Sequence, residues 1–173
     1  MDNYPNALPL TRKVLRVLLV LNPVFGVFIA ILLIASFAAG DWIAKALSEH
    51  PEPIGSKLIT GMRLIMIMGI FAVPIAQLVL RRLAAIVETV RVGDPFVIVN
   101  AARLQTIAWA MLSLEVLHFI IGSVASAYST DTHPLDIDRD FSVTRLLAVL
   151  LCFVLARVFE HGARMRDDLQ GTV

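Results

Sequence analysis

The sequence predicts an all-α integral membrane protein, a four-helix bundle with antiparallel neighbours and short loops. Three observations predict it. Hydrophobic residues make up 58% of the 173-residue chain and charged residues only 17%, whereas a soluble domain runs nearer 45–50% and about 25%. The apolar residues gather in four separated blocks of roughly 20 residues, the length that crosses a hydrocarbon core of about 30 Å. Lys and Arg cluster at alternate ends of those blocks, as the short cytoplasmic loops of membrane proteins require.

The first span covers about 14–39. It follows a polar segment that ends in Arg12, Lys13 and Arg16. Its apolar run is longer than the roughly 7–15 residues of a cleaved signal peptide, so a retained helix is expected. Asn22-Pro23 falls early in it. Pro23 removes one intrahelical donor, and the carbonyl it frees must find a partner inside the membrane, for which the Asn22 side chain is at hand.

A loop from Gly40 to Thr60 follows, with Trp42 suited to the interface and Pro51 and Pro53 as helix breakers. The second span is read at about 61–80 and closes on Arg81-Arg82. The helix pattern continues beyond it: Leu83, Ile86, Val87 and Val90 recur at three- and four-residue steps, opposite Arg81, Glu88 and Arg91. The loop 81–103 is therefore expected to be cytoplasmic and partly an amphipathic helix. Gly93 supplies a helix stop, Asp94 a cap and Pro95 a first-turn residue.

The third span covers about 104–127, and its Gly122-xxx-Ser126 spacing lets another helix approach closely. An acidic loop carries Asp131, Asp136, Asp138 and Asp140. The fourth span is read at about 143–159, followed by a tail at 160–173. With both termini and the middle loop on one side, that side holds ten of the fifteen Lys and Arg residues. The positive-inside rule then makes it cytoplasmic.

Glu115 and His118 lie one helical turn apart near mid-membrane. An ionisable group at that depth is costly and is a functional-site hypothesis by default. Glu-xx-His is also the spacing of a di-iron helix, but that centre needs two such motifs and further carboxylates. No metal or other cofactor is expected. An internal polar contact, with Arg63 or Arg145 reaching in to Glu115 or with His118 itself, is the structural reading; a proton- or ligand-sensing role is the functional one. Cys152 sits alone in an apolar block, as a core-filling side chain does. No Ser-His-Asp pattern, GxSxG, HExxH or phosphate loop occurs, so no enzyme is expected. The dispersed basic residues and a net charge of +1 argue against direct nucleic-acid binding.

Two stretches carry a resemblance. GDPF at Gly93 to Phe96, followed by Asn100, Arg103-Leu104 and Ala108-Trp109, and the ending LARVFEHGARMRDDLQGTV together resemble the bacterial membrane proteins of domain-of-unknown-function family 2975. His161 departs from the family's usual Arg or Glu. The resemblance covers essentially the whole chain and implies a four-span membrane protein. It also implies a membrane-linked regulatory pair, because such genes often neighbour a small helix-turn-helix regulator. The expected cytoplasmic partner surface comprises Asp94, Pro95, Phe96, Asn100 and Arg103 from the turn, with Arg164, Arg166, Asp167 and Asp168 from the tail. The leading expectation is a non-enzymatic regulator or anchor for such a DNA-binding protein. The alternative is a small-solute or proton transport component built on Glu115 and His118, which at this size requires a homo-oligomer.

Overall fold

The computed structural model describes residues 7–39, 54–129, 135, 137, 139–140 and 142–170. Four helices account for nearly all of them: α1 (Ala7–Ala38), α2 (Ile54–Arg91), α3 (Ile98–Tyr128) and α4 (Val143–Gln170). No strand occurs among the described residues. Trp42, Pro51, Pro53, Asp131, Asp136 and Asp138, on which loop expectations rested, lie outside them.

Helices α1, α2 and α3 are long and apolar enough to cross a membrane. Helix α4 differs. Its uninterrupted apolar run extends only from Leu146 to Ala156, between Arg145 and Arg157, about 16 Å of helix. Helix α2 has 38 residues, about 57 Å, which exceeds the thickness of a bilayer with its headgroups. The amphipathic stretch read from Arg81 to Arg91 forms its last turns, continuous with the span. Pro74 lies inside this helix without ending it.

The described helices pack in an open row. Each approaches only its neighbours in sequence: α1 lies on α2, α2 on α3, and α3 on α4. A central apolar cluster joins Ile86 of α2, Leu104 and Ile107 of α3, and Ala156 of α4. Helix α1 leaves Val17, Val20, Leu21, Val24, Phe25 and Phe28 exposed along one face. Lipid tails are as apolar as a protein core, so nothing drives those side chains inward.

Polar bonds set the α1–α2 register. The Asn22 side-chain amide donates to the Val73 carbonyl at 3.0 Å and to Gln77 Oε1 at 2.9 Å. Gln77 Nε2 donates in return to the Leu19 carbonyl at 3.1 Å. Leu19 is the residue four before Pro23, so its carbonyl is the one the proline frees. The partner is thus Gln77 from the neighbouring helix, not Asn22 as expected. Asn22 lies only three residues past Leu19, and its amide points across to α2. Gly26 completes the contact: a Cβ there would lie 2.9 Å from a Val73 methyl.

The α2–α3 connection is a glycine-capped helix end. Gly93 has φ of 87°; its N–H donates to the Val90 carbonyl, and the Asp94 N–H to the Thr89 carbonyl. These two bonds close the C-terminus of α2 in a Schellman motif, which needs the left-handed conformation glycine adopts without cost. Helix α3 starts later than expected, with Val97 at its cap in extended conformation (φ −104°, ψ 139°) and no side-chain cap bond. Asp94 is therefore not the cap of α3. The residue before proline avoids helical backbone, and Pro95 and Phe96 lie outside any helix before Val97 leads into α3. At the other end of the pair the close approach is Gly61 under Tyr128, whereas Gly122 is buried and Ser126 exposed.

Candidate functional site

Two polar clusters stand at opposite ends of the α3–α4 pair. The first is built on Glu115, whose side chain is only 3% exposed. Its Oε1 accepts the N–H of Ser142 at 3.0 Å, and its Oε2 pairs with Arg145 Nε at 3.1 Å. Ser142 immediately precedes α4, and its Oγ accepts the Arg145 N–H at 3.4 Å. In a capping box the residue three after the cap sends its carboxylate back to the cap N–H. Here that residue is Arg145, and Glu115 supplies the carboxylate from another helix. Glu115 thus caps the N-terminus of α4, where a negative charge also meets the positive end of the helix dipole.

Of the two arginines expected to reach this cluster, only Arg145 does. Arg63 turns to α1: its Nε donates to Ser36 Oγ at 2.9 Å, a terminal nitrogen donates to the Ser36 carbonyl, and the guanidinium lies 4.2 Å from the Phe37 ring centre. The last carbonyls of α1 need donors, and an arginine meets them. His118 is half-buried, and among the described residues no hydrogen bond joins it to Glu115. Nor do three His, Cys, Asp or Glu side chains gather as a metal site among the described residues.

The second cluster joins the α2–α3 turn to the end of α4. Asp94 pairs with Arg166, and the Phe96 and Phe159 rings stack tilted at 5.3 Å between centroids. Gly162 makes room for Phe96: a Cβ there would stand 2.9 Å from the ring. Arg157 and Arg164 both pair with Glu160, at 3.1 and 2.6 Å. The hydrogen bond from Arg157, reinforced by Arg164, holds the Glu160 carboxyl below its ordinary value. An open groove of about 630 Å³ runs beside this surface, lined by Ile98, Ala102, Gln105, Phe153, Arg157 and Glu160 among others.

Asn100, expected on the partner surface, has no exposed area. Its amide donates to Thr89 Oγ1 at 2.7 Å and to the Pro95 carbonyl at 2.8 Å, and its Oδ1 accepts from Arg103 at 2.9 Å. Arg103 also donates to the Ala85 carbonyl at 3.2 Å. These two residues tie the turn together from inside, because a buried amide needs all its partners within the protein. The exposed face is left to Phe96, Arg164, Arg166 and Asp168, with Asp94 half-buried beside them; the Asp167 side chain lies outside the described residues. Ser142 was legible as a polar residue before an apolar run. Thr89 and Glu160 carried no signal, since both look like ordinary residues of an amphipathic helix.

The two stretches GDPF and EHGARMR, far apart in sequence, therefore meet on one surface. The profile of a family described as a protein of unknown function, DUF2975, matches residues 13–173. The chain belongs to the DUF2975 family. No curated protein and no solved structure matches it. In this DUF2975 protein the turn and the tail form a single unit, and the buried carboxylate at the far end of α4 forms another.

Proposed function

We propose that this DUF2975 protein is a non-enzymatic membrane regulator or anchor whose turn-and-tail surface binds a soluble cytoplasmic partner. The observation that carries the reading is the joining of Asp94 and Phe96 to Arg166 and Phe159. An ion pair and a ring contact hold an exposed face there. A small helix-turn-helix regulator is the proposed partner, on the family resemblance. In this reading both termini are cytoplasmic, in a bacterial inner membrane. Arg12 of α1 near Glu88 of α2 and Asp94 near Arg166 support placing these ends of all four helices on one side. The same pairs, with Ser36 near Arg63 and Glu115 near Ser142, support antiparallel neighbours.

The transport alternative draws on Glu115, but both of its carboxylate oxygens already serve α4. A pull-down from mild detergent tests the leading reading. The full chain is compared with an Asp94→Arg, Phe96→Ala variant, which alters the face without removing helix. A soluble protein retained by the full chain and lost from the variant is the expected result. Equal retention, or no soluble protein with either, overturns it.

A further inference from the structure

Three registers fix the depth at which α4 begins. Asn22 bonds to Val73 and Gln77, and Gly26 abuts Val73, so Phe25 of α1 stands about level with Pro74 of α2. Arg103 reaches the Ala85 carbonyl while Tyr128 covers Gly61, which brings Glu115 of α3 to the same level. Glu115 takes the Ser142 N–H, so α4 starts there too. That level is close to the middle of the apolar stretch of α2, which runs from Leu64 to Leu80 between Arg63 and Arg81. Beyond it α3 climbs on to Tyr128, a further rise of about 20 Å. Helix α4 has no counterpart to that rise, because Ser142, just before it, stands level with Glu115.

We propose that α4 is a half-span helix that enters from the side of the termini and stops at mid-membrane, its first turn open to water from the opposite side. The first turn of a helix has N–H groups without intrahelical partners. Glu115 and Ser142 satisfy those of Ser142 and Arg145. The described residues do not enclose the remainder: Val143 is 80% exposed and the Arg145 side chain 44%. Helix ends and non-helical backbone at membrane depth persist only where protein buries them or water lines them. With no cover from the described residues, water is what meets this turn. Half-helix ends beside charged side chains at the midplane are also where aqueous pathways reach into transporters. The short run from Leu146 to Ala156 follows from the same cause, because a helix that crosses half the core needs only half the apolar length. One aqueous phase thus meets α4 at Arg145, and the other meets it at Arg166. This inference stands on the registers and does not depend on a partner.

The test is cysteine accessibility in the full chain with Cys152→Ala as background. Val143→Cys and Thr144→Cys probe the first turn, and neither residue takes part in the cap. Asp140→Cys is the loop reference. Phe25→Cys is the lipid-facing position at the same level. A membrane-impermeant maleimide is added outside sealed phosphatidylcholine–phosphatidylglycerol vesicles in which the termini face the lumen. We expect labelling at Val143→Cys and Thr144→Cys near the Asp140→Cys rate, and loss of labelling at Phe25→Cys. Two results overturn the proposal. If neither first-turn cysteine reacts, water does not reach α4. If Phe25→Cys reacts alongside them, that level lies at the membrane surface and α4 is not a half-span. Denaturation in sodium dodecyl sulfate, where every cysteine must react, shows that each variant can be labelled, and gel filtration in mild detergent shows that each is folded.

Discussion

Gln77 of α2 donates its side-chain amide to the Leu19 carbonyl of α1, the acceptor that Pro23 deprives of its own helical donor. One helix thus repairs the defect that proline makes in the other. Asn22, one residue before the proline, returns the bond to Gln77. Within a membrane an amide pair of this kind contributes about 1–2 kcal/mol at most. It also fixes register between two helices whose apolar surfaces fix nothing.

Gln77→Leu should therefore destabilise the α1–α2 pair by about 1–2 kcal/mol. In a Pro23→Ala background the loss should be smaller, because the Leu19 carbonyl regains its helical donor. A double-mutant cycle, read from unfolding in mild detergent, measures the coupling. Additive effects would show that the repair is not energetically real.

Glu115→Leu removes the cap of α4 and leaves Arg145 unpaired at membrane depth. Breaking a buried pair costs about 3–5 kcal/mol, and the partial exposure of Arg145 lowers the expected loss to about 2–3 kcal/mol. Glu115→Gln keeps an acceptor for the Ser142 N–H and should retain more folded protein. Combining Glu115→Leu with Arg145→Leu should recover part of the loss. Amide exchange at the start of α4 reports all three.

Asn100→Leu leaves Thr89, Pro95 and Arg103 without their shared partner in a site that has no exposed area. The expected cost is about 2–3 kcal/mol. Gly93→Ala, at φ of 87°, should cost about 1 kcal/mol on conformational grounds alone. Thermal unfolding distinguishes the two by size.

Glu160 sets a pH dependence. Its carboxyl is held below the ordinary value of 4.5 by Arg157 and Arg164. The folded state therefore binds the proton less well than the unfolded one, and the stabilisation is fully present above that ordinary value. It is lost as pH falls further, through the lowered folded value. Tail amide protection should hold constant from neutral pH to about 5 and decline below it. Glu160→Gln should flatten the profile. Because the group is exposed, added salt should weaken the effect.

Charge reversal tests the turn-to-tail contact. Asp94→Arg or Arg166→Asp alone should raise hydrogen exchange at Gly162 and Phe96, and the double exchange should restore protection. A surface pair contributes about 1 kcal/mol or less, so global stability should barely move while local exchange does. Unchanged exchange in either single variant would show that the ring contact alone holds the tail.

Hydropathy, the spacing of charges and the residues at turns determined what kind of object this chain is. They gave the four helices of the described residues, the amphipathic continuation of α2 and the glycine stop at Gly93, because each depends on residues within a few turns of one another. The family motifs were legible for the same reason. Other features depended on which residue of one helix stands opposite which residue of another. A uniformly apolar surface does not encode that choice, since lipid solvates every face equally well. Only the tertiary structure decided that Gln77 serves Leu19, that Arg63 turns to Ser36, and that Asn100 is buried. The same holds for Glu115 as the cap of a helix that begins 28 residues later. The open row, too, was beyond the sequence: different orders of the same helices bury the same local pattern, and the polar side chains that choose among them act only across distance in the chain.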